Sequence, residues 1–180
     1  MDDLAGLSLA DIARMADERR LPPVEKWNPT HCGDSEMRIA RDGTWYHQGS
    51  PIGRPAMVRL FSTILRREPD GGFVLVTPVE KLSIEVEDAP FLAVELKSEG
   101  EGKKRTLAFR LNTGDAVVAG PEHRLRFEAG PHPYLEVRSG LDALVARPVY
   151  YELAEIALAE AAAPPGVWSE GAFFPLEPGR

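Results

Sequence analysis

The chain of 180 residues carries 28 acidic against 21 basic side chains, a formal charge of -7, with 43% hydrophobic and 27% charged residues. That balance suits one large or two small folded domains and is too apolar for disorder. A net negative field repels phosphate backbones, which argues against non-specific nucleic-acid binding, and no stretch approaches the roughly 20 apolar residues that span a bilayer. The opening MDDLAGLSLADIARM puts acids where a secretory leader carries positive charge. Cys32 is the single cysteine, so no internal disulfide can form, and a reduced, cytoplasmic setting with no cofactor is expected.

Residues 8 to 20 predict a helix. Ser8 and Asp11 form a short-acid capping box, Leu9, Ile12, Ala13 and Ala16 recur at helical spacing, and Pro22-Pro23 stops it. Between Glu36 and Gly49, Asp42-Gly43 separates two short apolar and aromatic runs, a hairpin signal that places Trp45 in the core. Pro55 then suits a first helical position, and Met57, Leu60, Phe61, Ile64 and Leu65 make an apolar stripe that leaves Arg59, Arg66 and Arg67 outside it. EPDGG is a turn into the strand FVLVTP, and EKLSIEVED alternates as a half-buried strand.

Ala89-Pro90 is the expected boundary between two halves. Strands FLAVELKS and TLAFRLN, a short strand after the NTGD turn, and a second hairpin over RLRFEAGPHPYLEVRSG follow. A helix from Pro148 to about Ala163 leaves only Glu152, Glu155 and Glu160 polar, a stripe wide enough to predict burial on more than one side, between the halves or at a homodimer interface. Trp168, Phe173 and Phe174 in the tail predict that it folds back. GRPAMVRLFSTIL and ARPVYYELAEIAL read as one motif written twice: hairpin, connector, Arg-Pro, helix.

The usual catalytic and phosphate-loop motifs do not occur, and HCGD at His31 to Asp34 has too few ligands around it for a metal site. Residues 36 to 67 hold six arginines against Glu36 and Asp42, either an anion site or partners for the acidic strands that follow. The polar stretches TPVEK, NTGD and YLEVRSG contribute Thr77, Glu80, Lys81, Asn112, Asp115 and Arg138 as candidates. Turn chemistry accounts for Asn112 and Asp115 but not for Lys81, Arg138 or Arg147.

The blocks IARDGTWYHQGSPIGRPAMVRLFSTILRRE, GGFVLVTPVEKLSIEVEDAPF, NTGDAVVAGPEHRLRF and PYLEVRSGLDALVARPVYYEL resemble the bacterial domain-of-unknown-function family numbered 1285, over about Trp27 to Leu158. The resemblance implies an α+β fold of two small β-rich domains with a duplicated core, the C-terminal half loosely pleckstrin-homology-like. With the hairpin–helix repeat it sets expected bounds of 1–24 (helical segment), 25–89, 90–163 and 164–180 (tail). It also implies a ligand between the halves, a nucleotide being one candidate, and a part in signal transduction. On that basis Arg54 and Arg147, each just before a helix start, are expected to anchor a phosphate or carboxylate. Lys81 would add charge, and Thr77, Asn112 and Asp115 directional hydrogen bonds; alternatively each arginine braces the opposite half through a carboxylate such as Glu80. The resulting expectation is a non-enzymatic sensor for a small anion. The alternatives are a protein-interaction adaptor with a protein partner, and an enzyme using Glu80, Asp115 or His123 as an acid–base group.

Overall fold

The computed structural model of the protein describes residues 6, 8–18, 21–127 and 132–176. The described chain forms two compact units, one of residues 21–90 with 139–141, the other of the remaining described residues. The first helix, α1 (Leu9–Glu18), belongs to the second unit. Its start is the expected reciprocal cap: the Asp11 N–H donates to Ser8 Oγ at 3.1 Å, and the Ser8 N–H and hydroxyl donate to the Asp11 carboxylate at 3.2 and 2.6 Å. Ile12 is fully buried on Ala108, with Leu9, Ala116 and Val118 around it; the side chains of Ala13 and Ala16 lie outside those described.

The first unit begins with a single turn of 3-10 helix, Val24–Lys26, followed by β1 (His31–Ile39), β2 (Trp45–His47), β3 (Ser50–Pro51), α2 (Pro55–Thr63), β4 (Leu65–Arg67), β5 (Phe73–Val76) and β6 (Glu80–Val86). The strands form one sheet in the order β3-β2-β1-β6-β5-β4, with β1 and β6 parallel at its centre and every other neighbour antiparallel. The Asp42-Gly43 turn closes the β1–β2 hairpin as expected, with Gly43 at φ 88° and Asp42 accepting from the Thr44 N–H at 2.9 Å. Trp45 is 1% exposed and packs in the core expected for it.

Two expectations for α2 fail. The helix ends at Thr63, so Leu65 belongs to β4 and is buried in the sheet, and within the helix only Ser62 is buried. Met57 and Leu60, assigned to a core-facing stripe, are 38% and 63% exposed. A helical apolar period continues smoothly through Ile64 and Leu65, so it cannot signal that the chain leaves the helix to pair with β5.

The second unit holds β7 (Phe91–Glu99), a 3-10 turn at Gly102–Lys104, β8 (Thr106–Leu111), β9 (Ala116–Val118), β10 (Leu125–Phe127), β11 (Pro133–Arg138), β12 (Leu141–Val145), α3 (Arg147–Glu160), and the hairpin β13 (Gly166–Ser169) with β14 (Ala172–Pro175). Its sheet runs β10-β11-β12-β7-β8-β9, with β12 and β7 parallel at the centre. The tip of the second hairpin, 128–131, lies outside the described residues.

Numbered within each unit, both sheets follow one order, 3-2-1-6-5-4, with the first and sixth strands parallel. The two-domain, mostly β, α+β organisation with a duplicated core is therefore present. Its period is not that of the Arg-Pro motif. β4, β5 and β6 begin at Leu65, Phe73 and Glu80, and β10, β11 and β12 at Leu125, Pro133 and Leu141, sixty or sixty-one residues on. The repeat is visible as LRRE at 65–68 and LRFE at 125–128. Leu65 pairs with Leu75 and Leu125 with Leu135 in the same register. The helix with its Arg-Pro start follows the third strand in one unit and the sixth in the other.

Contrary to the expectation of burial on several sides, α3 buries one stripe, Val149, Leu153 and Ala157, against β7 and β13, while Tyr151 is 57% and Leu158 76% exposed. The aromatic tail folds back as expected: Val167 and Phe174 are buried, and the Trp168 and Phe173 rings lie 5.2 Å apart. Gly166 permits this closure, because a Cβ there would sit 2.4 Å from the Phe173 ring and 2.6 Å from the Phe174 carbonyl. Ser169 is fully buried and stitches the hairpin to the sheet, accepting from the Leu107 N–H at 2.9 Å and donating to the Ala119 carbonyl at 2.6 Å.

Candidate functional site

The eight residues singled out by sequence divide evenly between the units. In the first, Thr77 serves its own turn: its hydroxyl accepts from the Val79 and Glu80 N–H groups at 3.3 and 3.1 Å. Glu80 opens β6 beside His31 of β1 and is half-buried. Lys81 pairs with Glu68 at 3.0 Å. Arg54 is the exposed N-cap residue of α2. In the second unit, Asn112 accepts from the Leu92 N–H at 3.0 Å and holds the β8–β9 turn to β7, while Asp115 accepts from the Thr113 hydroxyl at 3.0 Å. Arg138 lies over the Phe91 ring at 5.3 Å, and Arg147 is the exposed first residue of α3.

Six of the eight thus have local structural work or a half-buried strand position. Arg54 and Arg147 do not: among the described residues neither guanidinium has a hydrogen bond, ion pair or ring contact. Their helices differ from α1 in one respect that bears on charge. The α1 start is closed by Ser8 and by the Asp11 carboxylate, which the Ser8 hydrogen bonds hold below its usual titration range. Neither α2 nor α3 has a side-chain cap or an acid in its first turn; each has a proline there and an arginine just before it. Proline removes one N–H from need of a partner, yet the positive end of each helix dipole stays uncompensated.

Sequence reasoning missed the structural part played by Arg66. Arg66, expected on an exposed helix flank, is 8% exposed on β4. It donates to the Val24 and Trp27 carbonyls at 2.9 and 2.6 Å and to Glu68 at 3.0 Å, tying the 3-10 turn to the sheet. The Arg66 hydrogen bond, with Lys81 behind it, holds the Glu68 carboxyl below its usual range despite burial. A hollow of about 570 Å³ opens beside this cluster, lined in part by Trp27, Asn28, Arg66 and Glu68. Arg126, sixty residues on in LRFE, holds the same place in the second unit but takes a different partner, a two-pronged pair to Asp142 of β12 at 3.1 and 2.8 Å.

A second hollow, about 540 Å³, lies over a bulge in β1 where the register against β6 shifts between Asp34 and Arg38. Glu36 there adopts φ 56°, a left-handed conformation held by the Asp34 carboxylate, which accepts from the Glu36 N–H at 2.8 Å, and by Gln48, which donates to the Glu36 side chain at 2.6 Å. Arg38 pairs with Glu87 and lies 4.3 Å over the Tyr46 ring, and Arg41 pairs with Asp88 at 3.2 Å. For Arg38, Arg41 and Arg66, therefore, internal pairing with carboxylates is what the fold does with the charge. His31, Cys32 and Asp34 are exposed along β1, inside the strand rather than in a loop before it, and no cluster fit for a metal occurs among the described residues.

Comparison with known proteins places these features. Residues 22–89 match the domain of unknown function DUF1285, N-terminal domain, and residues 90–176 match the DUF1285 C-terminal domain. A DUF1285 family protein from Silicibacter pomeroyi DSS-3 has a crystal structure with a TM-score of 0.81 and 48% identity, covering 94% of each chain. A second, from Shewanella baltica OS155, gives a TM-score of 0.55 and 25% identity over 70% of this chain and 96% of that one. No curated protein matches the sequence.

Proposed function

The chain belongs to the DUF1285 family, and from that premise we propose that it is a binding protein for a small anionic molecule, with Arg54 and Arg147 as its cationic anchors. The observation that carries this reading is the contrast among the three α-helices of the described residues: one start is capped and compensated by an acid, and two are left positive with a guanidinium beside them that has no partner among the described residues. In a chain with seven more acids than bases, Arg38, Arg41, Arg66, Arg105, Arg110 and Arg126 each find a carboxylate; Arg54 and Arg147, which share one local setting at a helix start, are suited to an external one. A guanidinium fork beside helix N–H groups selects planar or tetrahedral oxyanions, so the ligand class is phosphate- or carboxylate-bearing, nucleotides included. A part in signalling would follow from ligand-dependent binding rather than from chemistry on the ligand.

Thermal unfolding of the full chain against ATP, GMP, inorganic pyrophosphate and succinate tests the reading. A probe at a hundred times its dissociation constant adds about 2.7 kcal/mol to stability. Arg54→Ala and Arg147→Ala, both at exposed positions, should each leave the unliganded protein within about 0.5 kcal/mol of the parent and lower the ligand-induced rise, and the two together should remove it. A panel without any rise, or a rise that survives both substitutions, would overturn the proposal.

A further inference from the structure

The hollow beside the Arg66–Glu68 pair lies wholly within the first unit, which includes residues 139–141, and its volume of about 570 Å³ is in the range of small-molecule sites. Structural demands account for its floor. Arg66 is engaged by the Val24 and Trp27 carbonyls and by Glu68, and Lys81 by Glu68. They do not account for its rim. Arg67, next along β4, packs its stem on Gly140, where a Cβ would come 3.2 Å from Arg67 Cδ, and its guanidinium lies 5.5 Å over the Phe73 ring. It donates through Nη1 to the Gly140 carbonyl at 3.3 Å, while its Nε and Nη2 groups have no acceptor among the described residues. Those two groups form the edge that grips a carboxylate side-on.

The half-buried Trp27 indole, the exposed Asn28 amide and the exposed Ser139 hydroxyl line the same hollow, and none has a hydrogen-bond partner among the described residues. The charges gathered there come to one positive, Arg66, Arg67 and Lys81 against Glu25 and Glu68. That balance neutralises a monocarboxylate and leaves a phosphate monoester with negative charge in excess, facing two carboxylates. From this arrangement we infer that the hollow binds a planar aromatic monocarboxylate. Arg67 takes the carboxylate, Trp27 flanks the ring, and Asn28 and Ser139 take a polar substituent. The site uses neither Arg54 nor Arg147, so this inference and the proposed anion anchors stand or fall separately.

Titration of the full chain with benzoate, salicylate and nicotinate, followed through the indole N–H resonance of Trp27 assigned by Trp27→Phe, tests the inference. The expected result is a saturable shift at Trp27 with at least one of the three, the Trp45 and Trp168 resonances staying fixed. Binding should weaken about tenfold or more when the matching neutral amide replaces the acid, and by a similar factor in Arg67→Gln with unchanged circular dichroism. In Arg67→Gln the acid and its amide should bind alike, an outcome that a merely structural arginine does not give. The double variant Arg54→Ala, Arg147→Ala should titrate as the parent does. No saturation with any of the three acids would overturn the inference. So would a parent that binds the amide as tightly as the acid, an Arg67→Gln variant that keeps the preference for the acid, or loss of binding in the double variant.

Discussion

Two sheets with one strand order are held together by different means. In the second unit the centre of β8 buries Leu107, Ala108 and Phe109 completely, and α1, α3 and the tail hairpin add Ile12, Leu153, Val167 and Phe174. In the first unit β5 buries Val74, Leu75 and Val76, but α2 contributes only the small, polar Ser62, and the segment before β1 is fastened by the side chain of Arg66 to two backbone carbonyls. The same arginine in the repeat therefore has unequal work. Arg66 is buried and donates to two main-chain carbonyls and to Glu68, which Lys81 also reaches, while Arg126 makes a single carboxylate pair with its side chain 36% exposed. Strand order is evidently compatible with either an apolar or a polar way of covering the sheet.

Substitutions in each unit can break that comparison. Phe109→Ala should be the costliest, about 3–5 kcal/mol, since it empties a fully buried ring site in the apolar unit; the midpoint of urea unfolding measures it. Arg66→Ala should cost about 1–3 kcal/mol by leaving the half-buried Val24 and Trp27 carbonyls without their donor, Lys81 still holding Glu68. Hydrogen exchange should locate that loss in β4, β5 and β6 and leave β7 and β8 protected. Ser169→Ala should cost about 1–3 kcal/mol, because the Leu107 N–H loses its buried acceptor. Arg126→Ala should cost about 1 kcal/mol or less; equal losses at Arg66 and Arg126 would erase the distinction between the units.

Acid sharpens the same contrast. Glu68 is held below its unfolded titration range, chiefly by Arg66. Its contribution to stability is therefore complete above the ordinary carboxylate range and lost as pH falls through the folded value. Glu68→Gln should flatten the acid limb of the stability profile of the first unit, and a profile unchanged by the substitution would show that the pair with Arg66 contributes nothing.

Much of this architecture was legible in the chain. Ser8 with Asp11, Asp42-Gly43 and the tail aromatics each imply a local physical demand, a cap, a left-handed turn and a dry surface, and each was met. The end of α2 was not legible, because strand pairing of Leu65 with Leu75 overrides a helical period that runs on without interruption. Nor was Arg66, whose acceptors are main-chain oxygens that leave no mark in sequence. The Arg-Pro motif proved a weaker guide to the repeat than LRRE and LRFE, since proline begins a helix well wherever the helix falls. Of the candidate site, turn chemistry explained Thr77, Asn112 and Asp115, and the pair with Glu68 explained Lys81. Arg54 and Arg147 were singled out by their place before two helix starts; that neither guanidinium has a partner among the described residues is legible only in the fold.

The anchoring role of those two arginines is tested most directly by following the side-chain Nε–Hε resonances of every arginine while ATP or inorganic pyrophosphate is added to the folded protein. The account predicts a saturable shift at Arg54 and Arg147, with Arg105 and Arg126, already paired to Glu160 and Asp142, unmoved. A shift shared evenly by all arginines, as ionic strength alone produces, or none at these two, would contradict it.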